Sequence, residues 1–138
     1  MSGLHKTVAT LRFFGDDLEP EEITKLLGAD PTVGVRKGGI WITASGTEKI
    51  ARRGSWRLNV EDRSPGDLNA QISEMFAPLT TDLTIWNELS RRFSGDVFVG
   101  LFLKESNEGI DLFPDTLAAV GLRGLELDLD IYGASDDD

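Results

Sequence analysis

The stretch DVFVGLFLK, residues 96–104, decides the fold because both faces of the strand that it predicts are apolar. Val97 and Val99 lie on one face of such a strand, and Phe98 and Phe102 lie on the other. A strand with two apolar faces is typically covered on both sides. We therefore predict that residues 96–104 form the central strand of a sheet, with helices on one face and a second apolar layer on the other.

The stretch LELDLDIYG, residues 125–133, predicts the closing strand. It alternates apolar and polar residues with the period of two that is typical of a half-buried strand. The apolar face is formed by Leu125, Leu127, Leu129 and Ile131, and the polar face by Glu126, Asp128, Asp130 and Tyr132. We expect the first face to pack on the core and the second, with its three carboxylates, to face outward.

The other predicted elements surround these two strands. A first strand is predicted over residues 7–14, and strands over 38–43 and 55–60 are predicted to pair as a hairpin with a long basic loop, residues 44–54, at its tip. Apolar stripes with helix start and stop signals predict helices within residues 18–27, 65–79, 81–93 and 113–121. The order β-α-β-β-α-α-β-α-β predicts an α+β fold with ferredoxin-like elements, in which helices pack on one face of a mostly antiparallel sheet.

A chain of 138 residues fits a single domain. We predict one α+β domain over residues 1–133 and an acidic, disordered tail over residues 134–138, which read ASDDD. Residues 18–28 and 112–121 share the pattern of a leucine, a proline, an acid and a terminal glycine. An internal duplication of a strand-helix unit is one interpretation of this echo.

The composition excludes several kinds of functional site. The chain has no cysteine, which excludes disulfides, thiol nucleophiles and cysteine-ligated metal sites, and His5 is its only histidine. No apolar run reaches the roughly 18 to 20 residues of a membrane span, and residues 1–15 lack the apolar core of a signal peptide. We therefore expect a cytoplasmic protein that has no cofactor, makes no membrane contact and is not an enzyme.

The acidic strand is the first candidate site. Asp128 and Asp130 lie on one strand face beside Glu126, and oxygen ligands of this kind suit magnesium or manganese. One hypothesis is therefore a divalent-metal-dependent enzyme or ligand binder. The alternative, which we favour, is that Arg12 and Arg57 pair with these carboxylates across the sheet.

The basic segment is the second candidate site. Residues 36–63 contain seven basic and three acidic residues, although the whole chain has a net charge of -10. Lys49, Arg52, Arg53 and Arg57 lie close in sequence to Trp41 and Trp56, a combination that binds anions or RNA in other proteins. A solvated basic loop and a core position for Trp56 are the competing interpretation, and the acidic remainder of the chain disfavours nucleic acid as the partner.

The third candidate is an acidic surface that includes Glu21 and Glu22 as well as the closing strand. Such a surface suits a protein partner that presents basic residues, and an edge strand could add a partner strand by β-augmentation. We expect Tyr132 to be an aromatic residue at the end of the strand, with its hydroxyl at this surface.

Several short motifs resemble those of a bacterial family described only as domain of unknown function 4279. They are ATLRF, LEPEEITKLLGADPT with the following KGG, the tryptophan in GSWRL, the helix pair, and LELDLDIYG, which together span residues 7–133. The sequence departs from the family pattern at TVGVRK, residues 32–37, where an aromatic residue is expected near the basic pair. The resemblance implies no catalytic residues, and immunity partners of bacterial toxins are only a class-level analogy.

Together these observations predict a non-catalytic cytoplasmic domain that binds a protein with a basic surface through its own acidic surface. The metal-dependent protein and the anion- or RNA-binding protein are the two alternatives.

Overall fold

The computed structural model describes residues 4–134, which form seven strands and four helices. The strands are β1 (Lys6–Gly15), β2 (Val33–Val35), β3 (Ile40–Ile42), β4 (Glu48–Ile50), β5 (Gly54–Asn59), β6 (Ser94–Phe102) and β7 (Glu126–Tyr132). The helices are α1 (Pro20–Leu27), α2 (Leu68–Phe76), α3 (Leu83–Arg92) and α4 (Pro114–Leu122). The predicted tail lies outside the described residues except for Ala134.

Five strands form one sheet in the order β2-β5-β1-β6-β7, and β3 pairs with β4 in a separate two-stranded sheet. Neighbours in the large sheet are antiparallel except β6 and β7, which are parallel and are connected through α4. The predicted α+β fold with a mostly antiparallel sheet is confirmed. The likeness of its element order to ferredoxin-like folds stays a prediction.

The four helices share one hydrophobic core with one face of the large sheet. This face carries alternate strand residues, as the period of two requires, and all of the following are buried: Ala9, Leu11, Phe13, Trp56, Val97 and Val99. The indole Nε1 of Trp56 donates a hydrogen bond to Oγ1 of Thr24 in α1, at 3.0 Å. The opposite face of the sheet, here called the open face, has no helix of the described residues on it.

The helices begin and end where local chemistry favours it. Pro20 opens α1, and Gly28 ends it with a φ of 92°, a left-handed conformation that glycine adopts without strain. The carboxylates of Asp67 and Asp82 cap α2 and α3 by accepting hydrogen bonds from backbone N–H groups in the first turn. The four predicted helices are confirmed. The first three have slightly shorter bounds, and α4 is shifted by one residue.

The predicted hairpin between residues 38–43 and 55–60 is wrong. The strand β3 pairs instead with β4, which lies inside the segment predicted as a basic loop, while β5 pairs with β1 and β2. A tight turn at Gly46, which has a φ of 87°, reverses the chain and allows this short hairpin to form. The strand β2 lies in TVGVRK, residues 32–37, where no strand was predicted.

The structure also corrects two expectations about burial. The strand β6 lies in the interior of the sheet, but β1 is the middle strand. The open-face residue Phe98 of β6 is covered by the guanidinium of Arg12, 4.3 Å from the ring centroid, in place of a second apolar layer. The apolar face of β7 packs only partly on the core, since Leu129 and Ile131 are 41% and 58% exposed. Both corrections arise because, within residues 4–134, no helix packs on the open face and no strand pairs with the outer edge of β7.

Candidate functional site

Basic and aromatic side chains meet on the open face of the sheet. Arg12 of β1 lies opposite Arg57 of β5, and Phe14 lies opposite Ser55 in the same antiparallel pair. Because Phe13 and its neighbours of odd number point into the core, these even-numbered residues of β1 and their partners point to the open face. The fold therefore places two arginines side by side, with an aromatic ring next to them.

The β3-β4 hairpin contributes a second wall. Trp41 and Lys49 are register partners in the hairpin, so their side chains share one of its faces. Arg52 and Arg53 lie with Ala51 in the short segment that connects β4 to β5. The same short segment therefore supplies an indole, an ammonium and two guanidinium groups close to Arg57.

The sheet and the hairpin line a cavity of about 660 Å³ that is open to solvent and is here called the basic pocket. Its lining is formed by Arg12, Phe14, Val33, Val35, Trp41, Lys49, Ile50, Ala51, Arg52, Arg53, Ser55 and Arg57. The lining includes five cationic side chains and no carboxylate. Such a lining favours anions and repels cations.

Arg12 is neutralised within the described chain. Its Nε and Nη2 donate to the two carboxylate oxygens of Asp96 at 2.9 and 2.7 Å, and Asp128 lies 3.7 Å from Nη2. The hydrogen bond to Asp96 raises the pKa of Arg12 above its usual value. Both side chains of the Arg12–Asp96 pair are mostly buried, so this pair is a fixed part of the wall.

Arg57 is not neutralised in this way. Its Nε is buried and has no hydrogen-bond partner within residues 4–134, and no ion pair is formed by this side chain there. Burial lowers the pKa of Arg57, and repulsion from Arg12 and Arg53 lowers it further. The guanidinium groups of Arg12, Arg53 and Arg57 lie 5.1, 4.2 and 5.4 Å from the centroid of the Phe14 ring. Phe14 thus holds three like charges together, and an anion would relieve their repulsion.

The predicted basic site is therefore partly assembled by the fold. The pocket contains Trp41, Lys49, Arg52, Arg53 and Arg57 together, although β3 and β5 do not form the hairpin that the sequence suggested. Trp56 is absent from the lining and is fully buried in the core, as in the competing interpretation.

Arg12 and Phe14 of the basic pocket were not predicted from the sequence as part of the basic site. Arg12 was instead expected to pair with the acidic strand. The alternation of residues along the first strand is the signal that would have placed both Arg12 and Phe14 on the open face.

The acidic strand is β7, at the edge of the sheet next to β6, and its carboxylates point to the open face. These carboxylates have different surroundings. Asp128 lies near Arg12, and Asp130 accepts a hydrogen bond from the Tyr132 hydroxyl at 2.7 Å. That hydrogen bond raises the pKa of Tyr132, whose ring stacks on Phe102 at a centroid distance of 4.5 Å. The expected pairing is thus found for Arg12 but not for Arg57, because Asp96 on the intervening strand occupies the position nearest the arginines.

The residues proposed as metal ligands do not form a compact site in the part of the chain that the structure describes. No group of three or more His, Asp or Glu side chains there is close enough to hold a metal ion. Glu126, Asp128 and Asp130 follow one another along a single strand without a carboxylate from another element. The metal hypothesis stays a prediction and has no supporting geometry among these residues.

The acidic residues of α1 make ion pairs within the chain. Glu21 accepts from Nη2 of Arg36 at 3.1 Å, and the two oxygens of Glu22 accept from Arg92 at 2.8 and 2.9 Å. Part of the predicted acidic surface is therefore already matched by arginines.

Residues 5–134 match the family model described as a domain of unknown function, DUF4279. The chain belongs to the DUF4279 family. No curated protein and no solved structure matches the chain. Because the family description names no activity, the function of this DUF4279 domain has to be argued from its own residues.

The DUF4279 match covers the basic pocket and the acidic strand alike. In residues 4–134, no helix of this DUF4279 domain has both the length and the apolar character needed to cross a membrane.

Proposed function

We propose that this domain is a non-catalytic binding module whose basic pocket holds a small organic anion with a flat apolar part. The observation that carries the proposal is the buried, unpartnered Nε of Arg57, which lies among four other cationic side chains in one cavity. A carboxylate or phosphate group supplies the acceptor and the negative charge that this arrangement lacks.

The aromatic residues of the pocket support the flat part of the ligand. Trp41 is half-buried on the hairpin wall, and Phe14 lies on the sheet wall. Planar groups stack on such rings, while guanidinium forks bind the charged end in a fixed geometry. The cavity volume of about 660 Å³ falls in the range of small-molecule sites, roughly 300–1,000 Å³.

The lining residues support binding in preference to catalysis. Of the usual nucleophiles and proton-transfer groups they include only Lys49 and Ser55, with no histidine, cysteine, aspartate or glutamate beside them in the lining. A long nucleic acid is disfavoured as the ligand because the whole chain has a net charge of -10. The cytoplasmic location predicted from the sequence stays a proposal.

Docking of a protein with a basic surface is the second candidate function. It is favoured by the net charge of the chain and by Glu126, an exposed residue that makes no ion pair within residues 4–134. This candidate involves the acidic strand and not the basic pocket, so the two candidates can be tested separately.

The first candidate is tested by titration with phenyl phosphate, followed by Trp41 fluorescence. Trp41 is the reporter because Trp56 and Trp86 are fully buried. We expect a saturable change in emission with phenyl phosphate, a weaker response to inorganic phosphate, and none to phenol. A thermal upshift of several degrees should accompany saturation, since ligand at about 100 times its dissociation constant stabilises by roughly 2.7 kcal/mol.

Two arginine variants make the test specific. Arg57→Met should weaken phenyl phosphate binding at least tenfold, about 1.4 kcal/mol, because it removes the unpaired guanidinium. Arg91→Met removes an exposed arginine of α3 and should leave the affinity unchanged. An equal loss in both variants, or no response in the wild type, would contradict the pocket assignment.

A further inference from the structure

The outer edge of β7 is unpaired in the part of the chain that the structure describes. In residues 4–134, β7 pairs only with β6, in a parallel ladder that runs from Glu126 to Tyr132. A free edge of this length presents a row of backbone donors and acceptors to other chains.

The backbone groups that face outward can be identified from one hydrogen bond. The carbonyl of Tyr132 accepts from the N–H of Leu103 at 3.0 Å and therefore points toward β6. Because the direction alternates along a parallel strand, the N–H and C=O groups of Leu127, Leu129 and Ile131 point away from the sheet. These three residues therefore carry the groups that an added strand would engage.

The side chains of the same residues form an incomplete apolar surface. Leu129 and Ile131 are 41% and 58% exposed, whereas their register partners on β6, Val99 and Leu101, are 0% and 3% exposed. The core therefore covers the apolar residues of β6 but leaves those of the edge strand β7 partly exposed to solvent. Aliphatic side chains on an added strand would cover Leu129 and Ile131.

The other face of the edge is negatively charged. Glu126, Asp128 and Asp130 point to it, and Arg12, which lies 3.7 Å from Asp128, is already held by Asp96. An added strand would therefore place its remaining alternate side chains beside three carboxylates. Lysine or arginine at those positions complements this charge.

We propose that β7 accepts, as an additional strand, an extended segment of another protein with Lys or Arg at alternate positions and aliphatic residues between them. This proposal rests on the second candidate function, the docking of a basic protein, and specifies its binding mode. A second copy of this chain is a poorer occupant, because antiparallel pairing of two β7 strands would set carboxylates opposite carboxylates.

The test uses a peptide of about nine residues with alternating lysine and valine, a typical strand length. A peptide with alternating glutamate and valine is the control for charge. Hydrogen exchange on the full-length wild-type chain should slow at the amides of Leu129 and Ile131 when the lysine peptide is added. The amide of Asp130 points toward β6 and serves as the internal reference.

Leu129→Pro removes one outward N–H, and proline is tolerated at an outward-facing position of an edge strand. This variant should weaken the lysine peptide at least about tenfold while keeping the far-UV circular dichroism of the wild type. Glu126→Lys should weaken the peptide less, with an effect that shrinks as salt rises, and Asp17→Lys, at an exposed acid remote in sequence from β7, should not weaken it.

Each contrary result has a definite meaning. Unchanged exchange at Leu129 and Ile131 on saturation with the peptide overturns the proposal. Loss of affinity in Glu126→Lys with full affinity in Leu129→Pro also overturns strand addition, but leaves docking on the acidic surface intact. Concentration-dependent dimers that disappear in Leu129→Pro would show that the edge belongs to a second copy of the chain.

Discussion

Arg12 and Arg57 lie directly opposite each other on β1 and β5, and within residues 4–134 only Arg12 has a carboxylate partner. The sheet order explains this difference. Asp96 on β6 is the register partner of Arg12, whereas the far neighbour of Arg57 is Val33 on β2. Because the residue on β2 is apolar, the positive charge of Arg57 is left unmatched. An anion bound on this side of the pocket would therefore gain the most electrostatic stabilisation.

Replacement of Asp96 by asparagine should lower the stability of the protein and raise the affinity of the basic pocket for an anion. Asp96→Asn removes a charge-assisted, bidentate partner of Arg12, at an expected cost of about 1–2 kcal/mol in the free energy of unfolding. The freed charge of Arg12 should raise the affinity for phenyl phosphate severalfold. Urea unfolding and Trp41 fluorescence titration measure the two effects, and a fall in affinity would mean that Asp96 positions Arg12 for the ligand.

Local patterns in the sequence predicted most of the fold. The period of two in residues 7–14 and 125–133 identified β1 and β7, and the apolar run in residues 96–104 identified β6. Helix start and stop signals identified all four helices. These signals depend on neighbours in the chain, so they can be interpreted without knowledge of the tertiary structure.

Strand pairing could not be predicted in the same way. The segments that contain Trp41 and Trp56 each look like a strand, but nothing local shows that β3 pairs with β4 while β5 pairs with β1. The basic pocket depends on that pairing, because it is β1 that brings Arg12 next to Arg57. The arginines of residues 52–57 were therefore recognised as a candidate, while the role of β1 was not.

A buried polar network should couple β1 to α2. The Thr7 hydroxyl donates to Oε1 of Gln71 at 2.6 Å, and Nε2 of Gln71 donates to the backbone carbonyls of Thr7 and Glu61, both at 3.0 Å. Gln71→Leu removes these three hydrogen bonds from a buried site, although the Thr7 carbonyl still accepts from the N–H of Arg63 at 3.1 Å. We therefore expect a loss of about 1–3 kcal/mol in the free energy of unfolding. Urea unfolding provides the measurement.

The matched variant for this network is Thr7→Val. In the wild type, the Thr7 hydroxyl also accepts from the N–H of Asp67, at 3.0 Å. Thr7→Val alone should therefore destabilise the protein as well. Combined with Gln71→Leu, it should destabilise the protein by less than the sum of the two single effects. Additive effects would show that the two side chains act independently.

The ion pair between Glu22 and Arg92 should make a small contribution to stability that depends on pH. Hydrogen bonds from Arg92 hold the pKa of Glu22 below its ordinary value of 4.5. Its contribution is therefore present above about pH 4.5 and is lost as pH falls through the lower pKa of the folded state. Both side chains are about 40% exposed, so the pair should contribute only about 0.2–1 kcal/mol.

Urea unfolding of wild type and Glu22→Gln at several pH values tests this prediction. The difference between the two proteins should be largest near neutral pH and should shrink below about pH 4.5. Asp17→Asn, at an exposed acid with no ion pair among the described residues, is the control. A difference between wild type and Glu22→Gln that stays constant down to pH 2–3, on the order of the acid limit for carboxylates, would show that charge is not its source.

Two glycine-to-alanine variants should have opposite effects on stability. A Cβ at Gly54, the first residue of β5, would lie 2.8 Å from the backbone oxygens of both Gly15 and Leu18, so the backbone would have to move. Gly54→Ala should therefore destabilise the protein by about 1–3 kcal/mol. A Cβ at Gly121, inside α4, would meet nothing within 4 Å, and alanine there should stabilise the helix by about 0.5–1 kcal/mol. Thermal unfolding separates the two, and a loss of stability in Gly121→Ala would mean that α4 needs a flexible residue near its end.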